Sequence, residues 1–307
     1  IGGVNVDIGG KSYAPLVGAD SNPGTVRVSL GGVGRNIAHN LSLMGTDVRM
    51  LTAYGDDIHG QRIAASCAEL GIDASHALRV ADLPPSTYLY IAGPSGDMAM
   101  AMSDMQIADR ISPAYLSANL QILQNAQVVV CDTNIPQESL IYLAENCTAP
   151  LFCDPVSTTK AEKIRDLGAT FHYHNHRFEF EDLAGKNLLM RMLEDFPEDS
   201  VEFTLDLGWV AAAGEDVLKW IDLLKGRISR IHLKDYADMP ADGSVTTSAY
   251  LRPIYEGKLP YDDYIRALAK SGTEYILVEQ DWCYGEDEFD CLRRSFINVV
   301  SRFPETK

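Results

Sequence analysis

Residues 171–180 read FHYHNHRFEF, with histidines at 172, 174 and 176. The chain has seven histidines in all, so this stretch concentrates imidazole. Alternate residues of an extended strand share one face. Imidazole on such a face can ligate a metal ion or move a proton near neutral pH. Not all three of these histidines can be ligands, so at least one packs or touches substrate. Tyr173, Asn175 and Glu179 lie in the same stretch. His174 or His176, together with Glu179, is expected beside an ion.

This stretch needs a scaffold, and the surrounding pattern provides one. TFHYHNHRFEF reads as a strand and its exit, NLLMRMLEDF as a helix, SVEFTLDLGWV as a strand and DVLKWIDLLKG as a helix. ISRIHLKDY, YDDYIRALAKSG, EYILVEQD and FDCLRRSFINVVSRF continue the alternation. Four βα units in residues 169–307 amount to half of a (β/α)8 barrel, in which chemistry sits at the C-terminal strand ends. His174 and Asp206 are 32 residues apart, and Asp206 and His232 are 26 apart. Each interval is close to one βα unit, so adjacent strands would present one side chain apiece. Taken singly, the same residues have plainer uses: His232 as a core histidine, Asp206 as a helix cap, Glu279 as a solvated strand end.

The first half alternates differently. RVSL runs into GGVGRNIAHNLSLMG, a glycine-rich turn opening an amphipathic helix. DVRMLTAYG is a strand and GQRIAASCAELG a helix. STYLYIAGPSGDMAMAMSDM reads as a hairpin around a Gly/Pro/Ser turn. PAYLSANLQILQNA, QVVVCDTN, QESLIYLAENC, PLFCDPVS and TKAEKIRDLG then alternate helix and strand. Apolar runs between helices predict a parallel sheet covered on both faces. GGVG is not a dinucleotide fingerprint, because Ile37 stands where Gly or Ala is required.

Composition bounds the function. The chain has 307 residues, 46% hydrophobic, enough for a sizeable core. Its 26 Lys+Arg against 43 Asp+Glu give a formal net charge of -17. Such a chain repels phosphate backbones, so nucleic acid is excluded as a partner, while small molecules and cations are not. Six cysteines stand at 67, 131, 147, 153, 283 and 291 with no CxxC pair. They read as free thiols of a cytoplasmic protein. No run is long and apolar enough to span a bilayer, and no signal peptide is evident, so no membrane partner is expected. The start at Ile1, directly in strand-like sequence, points to a few missing N-terminal residues.

GGVNVDIGG, SNPGTVRVSLGGVGRNIAHN, YGDDIHG, STYLYI, DMAMAMSDM, DTNIP and DPVSTTKAEKIRDL together resemble the ribokinase-like (PfkB) carbohydrate kinases, nearest to their pseudouridine-kinase branch. The resemblance covers residues 1–168. It implies an incomplete ribokinase-like (Rossmann-like) parallel sheet with a β lid. It also implies sugar contacts from Asp7, Gly31, Gly32, Asn36, Asn134 and Lys160. A carboxylate and an amide suit polyol hydroxyls, and paired glycines let backbone approach a ligand at a helix start. The family's later GAGD motif has no match; AAAGEDV at 211–217 lacks the second glycine of that turn.

YHNHRFEF, LDLGWVAAAGEDV, GRISRIHLKDY and YILVEQD resemble the xylose-isomerase-like TIM-barrel sugar-phosphate isomerases and epimerases. This second resemblance covers residues 169–307. It implies a half barrel with a divalent-metal site of His174, Asp206, His232 and Glu279, suited to Mn²⁺, Mg²⁺, Zn²⁺ or Co²⁺. Glu279 or Glu179 would carry a proton, Lys234 would hold an oxyanion or phosphate, and His176 and Trp209 would contact substrate.

The expectation is therefore a fusion joined near Gly168, with metal-dependent isomerase or epimerase chemistry on a sugar or sugar phosphate. One alternative is a sugar or nucleoside kinase of the pseudouridine-kinase kind, using ATP and Mg²⁺. The other is a catalytically silent sugar-binding protein. Open sheet edges call for cover, either from strands of the first half continuing the second half's sheet or from a homodimer that pairs the half barrels.

Overall fold

The computed structural model describes residues 1–197, 201–237 and 251–303. It divides into two compact units, Ile1–Ala169 and Thr170–Lys307.

The first unit opens with β1 (Asn5–Ser12), β2 (Gly24–Gly31) and α1 (Val33–Leu43). There follow β3 (Ala53–Gly55), α2 (Ile58–Glu69), β4 (Leu78–Val80), β5 (Ser86–Ala92) and β6 (Met98–Asp104). Then come α3 (Pro113–Ala118), α4 (Leu120–Gln124), β7 (Val129–Asp132), α5 (Gln137–Asn146), β8 (Leu151–Asp154) and α6 (Thr158–Ala161). The four longest strands form one mixed sheet in the order β2-β1-β5-β6. The expected hairpin is β5–β6, paired antiparallel.

Register sorts the faces of this sheet. Asp7 pairs with Ser29 and Tyr88, so Asn5, Asp7 and Tyr88 share a face. Val6 and Ile8 point the other way, into a core with Ala38, Met50, Ile63 and Cys67. Further along that second face lie Val26, Met100 and Met102, which are 74%, 67% and 70% exposed. This mixed sheet is covered on one face only, and only along part of its length. The parallel pairing of the later strands is confined to two short ladders, β3–β4 and β7–β8. A second core packs around them with Leu51, Ile111, Leu116, Ile135, Leu140 and Leu143.

Two helices are shorter than their apolar periods predict. PAYLSANLQILQNA breaks at Asn119, whose backbone leaves helical geometry and whose amide side chain donates to Tyr115 O. TKAEKIRDLG gives α6 and then one tight turn at Glu162–Ile164.

Gly31 and Gly32 join the lid sheet to α1. Gly32 has φ +99, and a Cβ there would lie 2.5 Å from Gly3 O. Only glycine fits this junction. Asp132, at the end of β7, fixes it from beneath. Its carboxylate is fully buried and accepts from Gly3 N, Gly34 N and Asn134 N, each at 2.9 Å. An Asp132→Ala change leaves three backbone donors without this acceptor. It is expected to cost about 3 kcal/mol or more of stability, read as a lower urea midpoint by circular dichroism. An unchanged midpoint would refute that role.

The second unit contains β9 (His172–His174), α7 (Leu188–Asp195), β10 (Glu202–Asp206), α8 (Leu207–Ala212), α9 (Val217–Leu223) and β11 (Arg230–Leu233). It continues with β12 (Asp235–Tyr236), β13 (Leu251–Arg252), α10 (Tyr261–Leu268), β14 (Tyr275–Val278) and α11 (Glu288–Arg302). Four strands form an all-parallel sheet in the order β14-β11-β10-β9. Its buried residues include Phe203, Leu205, Trp220, Ile231, Leu233 and Leu268. The half barrel expected from the alternation does not form. Among the described residues the four strands make an open ladder, and no barrel closes; closure takes eight such strands at a matched stagger. Among the described residues no helix is long and apolar enough to cross a membrane.

Candidate functional site

In the first unit the polar face of the lid sheet meets the Gly31–Gly32 turn. A Cβ on Gly31 would lie 1.9 Å from Asp7 Oδ2, so the glycine makes room for that carboxylate. Asp7 Oδ1 and Asn5 Oδ1 are buried acceptors with no hydrogen-bond partner. Buried acceptors normally have donors, and their absence points to a ligand that brings them. Burial pushes the Asp7 carboxyl up, and the nearby Arg35 guanidinium offsets only part of that. Arg35 is itself buried, donating to Ser66 Oγ at 2.9 Å.

The other residues implied by the kinase resemblance fall as follows. Lys160 Nζ donates to Asn134 Oδ1 at 2.5 Å, and Asn134 is held by Asp132. Asn36 lies in the first turn of α1, its backbone N–H donating to Gly32 O, and it is exposed. Asn5, Arg35 and Asp132 were not among the expected residues. Asn5 stands two residues before Asp7 on the same strand face, a spacing that could have revealed it.

In the second unit the C-terminal ends of adjacent strands gather His174, Asp206, His232 and Glu279. One ligand atom from each lies within 4.8 Å of every other. His174 Nε2 is 3.3 Å from Asp206 Oδ2 and 3.7 Å from Glu279 Oε2. His232 Nδ1 is 2.7 Å from Glu279 Oε2. Lys234 Nζ sits within the same group, 3.3 Å from Asp206, 3.3 Å from Glu279 and 2.9 Å from Asp281. It also lies 4.4 Å from the centre of the Trp209 ring.

Local structure explains this convergence. Asp206 ends β10 and caps α8, accepting from Trp209 N at 2.8 Å, so the cap and the cluster are one residue. Asn175 Oδ1 accepts from Asp206 N and fixes the end of β9 beside it. Gly208 lets α8 approach β11: a Cβ there would lie 2.5 Å from Lys234 O. Burial alone pushes the Lys234 ammonium down, but the carboxylates of Asp206, Glu279 and Asp281 outweigh it and hold it charged. Burial pushes the Glu279 carboxyl up, yet the hydrogen bond to His232 and the charge of Lys234 hold it well below the usual carboxylate range.

Three expectations for this unit change. The strand ends at His174, so the alternation does not reach His176. His176 stacks near Phe178, yet its ring stays 4.8 Å from the His174 ring and 5.9 Å from the Trp209 ring, at the edge of the cluster. His172 pairs with Glu202 and Arg230, away from the cluster. Glu179 is fully buried, with one oxygen taken by Tyr173 OH at 2.7 Å and the other by His176 N at 2.9 Å. Both its oxygens hold the turn, which points the carboxylate away from the cluster's ligand atoms. Glu279, held low by its cationic neighbours, is a weak proton acceptor.

The glycine turn, the mixed sheet and the half-buried Asp7 lie in the part of the chain that matches a family of sugar-phosphorylating proteins. The chain belongs to the pfkB family of carbohydrate kinases, whose family model matches residues 1–206. It is similar to the pseudouridine kinase of Escherichia coli K12, 38% identical over 187 residues, which are 60% of this chain and 60% of that protein. It is also similar to the guanosine-inosine kinase of Exiguobacterium acetylicum, 30% identical over 155 residues, 50% of this chain and 51% of that protein. Among solved structures, a putative sugar kinase from Clostridium perfringens superposes with a TM-score of 0.52 at 27% identity, covering 67% of this chain and 68% of that one. The chain thus spans less than two thirds of the length of these curated relatives.

These matches overturn the isomerase or epimerase reading. The family match runs past the expected junction at Gly168, through β9 and β10 to Asp206, and the named relatives are kinases. Metal-ligating residue types at βα spacing are common to many parallel sheets and do not by themselves define a reaction.

Proposed function

We propose that this chain binds a sugar or nucleoside as a phosphoryl acceptor, with pseudouridine the first candidate. One observation carries this reading: the partnerless buried oxygens of Asp7 and Asn5 beside the Gly31–Gly32 turn. Two acceptors in one buried face match the hydroxyl donors of a ribose. Kinship with kinases supports ATP and Mg²⁺ as the donor. The one glycine-acid stretch that resembles the family's acid motif does not fit that role: Asp216 caps α9, accepting from Leu218 N and Lys219 N.

Calorimetric titration with pseudouridine is the test, followed by mass spectrometry for a phosphorylated product after addition of ATP and Mg²⁺. Saturable binding is expected within the range of typical KM values, about 1 μM to 1 mM. Product supports a kinase, and binding without product supports a sugar-binding protein. Absence of binding by pseudouridine, inosine, guanosine and ribose alike rejects the reading.

A second reading is supported by the side chains of the second unit. His174, Asp206, His232 and Glu279 form a candidate site for a divalent cation, with no isomerase chemistry attached. Ligand atoms around a tetrahedral ion with bonds of about 2.1 Å lie about 3.4 Å apart, close to the 3.3 and 3.7 Å separations at His174.

A further inference from the structure

Cys131 and Cys153 are register partners on the adjacent parallel strands β7 and β8. Side chains of register partners emerge on the same face, so the two thiols project side by side. Neighbouring strands run about 4.8 Å apart, inside the ~4.4–6.8 Å Cα window that a disulfide spans. Cys131 is buried, whereas Cys153 is half-buried and open to a small oxidant. The neighbouring Cys131 thiol draws the Cys153 thiol down, and Cys153 together with burial pushes Cys131 up. The two sulfurs are therefore unequally placed: Cys153 is the more exposed and Cys131 the more sheltered. Such a pair has the attributes of an attacking and a resolving thiol.

We propose that Cys153 is an oxidation site for hydrogen peroxide and that Cys131 resolves it to a cross-strand disulfide. In the first step the Cys153 thiolate attacks one peroxide oxygen and the O–O bond breaks. The departing hydroxide takes up the proton released when Cys153 ionised and leaves as water, with a sulfenic acid on Cys153. In the second step the Cys131 sulfur attacks the sulfenic sulfur and the S–OH bond breaks. The leaving hydroxide carries off the Cys131 proton as a second water. The two thiols lose two electrons and two protons in all, and one peroxide becomes two waters. A bridge between paired neighbours on a flat ladder is strained, and strained disulfides are readily reduced.

The position gives the modification a consequence beyond the proposed acceptor binding. Cys131 directly precedes Asp132, whose carboxylate holds Gly3 and Gly34. Cys153 directly precedes Asp154, whose carbonyl accepts from Thr133 N at 3.0 Å. The strand end that holds the glycine turn is thus one residue from the bridge.

The test treats the folded full chain with hydrogen peroxide and maps its peptides without reduction. A Cys131–Cys153 cross-link is expected, with the loss of two hydrogens, and dithiothreitol should reverse it. In Cys131→Ser, dimedone should trap a sulfenic acid on Cys153. Cys153 should label at least tenfold faster than buried Cys67, whose thiol is pushed up by burial. In Cys153→Ser, Cys131 should stay unmodified. Circular dichroism establishes that both variants are folded. Failure of the cross-link to form in the native chain, or dimedone labelling of Cys153 no faster than Cys67, overturns the proposal.

Discussion

Asp7→Ala is expected to weaken sugar or nucleoside binding by at least 100-fold while making the free protein more stable. The two effects have one origin. Asp7 holds a carboxylate that burial disfavours, and one of its oxygens has no partner in the free chain. A hydrogen bond to an ionised group contributes about 1.5–3 kcal/mol, and two hydroxyls on one carboxylate reach ~3 kcal/mol or more, which is the 100-fold. Removing the carboxylate also removes an unfavourable burial, so thermal unfolding should shift upward. The pH dependence has a defined sign. Asp7 has a folded-state pKa raised above its unfolded value, so stability from its protonated form is present at low pH and lost as pH rises through the folded pKa. Acceptor binding runs the other way: it strengthens as pH rises and Asp7 ionises. Asp7→Asn keeps the shape and should lose both slopes. Calorimetry and thermal unfolding across pH 3–7 measure the pair. A variant that binds as tightly as the parent, or that unfolds earlier at neutral pH, contradicts the assignment.

The fold around the Gly31–Gly32 turn was legible because its signals are local. Strand alternation, the Gly31–Gly32 turn and the start of α1 lie within forty residues of one another, and turn chemistry fixes how they join. The β5–β6 hairpin was legible for the same reason. Asp132 was not, because its partners Gly3 and Gly34 lie on elements separated from it by 129 and 98 residues. Only tertiary packing brings β7 beneath the turn. In the second unit, βα spacing was enough to gather His174, Asp206, His232 and Glu279 at neighbouring strand ends. It could not show that Lys234 occupies the middle of the group, nor that β9 stops before His176. The function class went astray for a related reason. Reactive side chains of the second unit invited a reaction, whereas the family match runs through the whole first unit and on to Asp206. Glycines speak about backbone approach, which a sequence shows less vividly than histidines do.

Asp206 is the residue whose loss separates structure from cation binding in the second unit. Asp206→Ala removes three things together: a partner of buried Lys234, the cap on α8, and one member of the four-atom group. Losing one of three carboxylate partners of a buried ammonium costs about 1–3 kcal/mol, and a lost N-cap costs ~1 kcal/mol. The alanine variant should therefore unfold well below the parent and bind no Mn²⁺. Asp206→Asn retains an oxygen for Trp209 N, so it should keep the cap and much of the stability while losing at least 100-fold in Mn²⁺ affinity. Lys234→Met tests the opposite pressure. The ammonium already neutralises part of the charge of Asp206, Glu279 and Asp281 at 3.3, 3.3 and 2.9 Å, and a metal must enter against it. Its removal should raise Mn²⁺ affinity, and Mn²⁺ at 100 times its Kd should then stabilise the variant by about 2.7 kcal/mol. Titration followed by electron paramagnetic resonance, with thermal unfolding alongside, distinguishes these outcomes. If neither the parent nor Lys234→Met takes up Mn²⁺ or Zn²⁺, the four side chains are an ion-paired support for Lys234 and α8, and the cation reading fails.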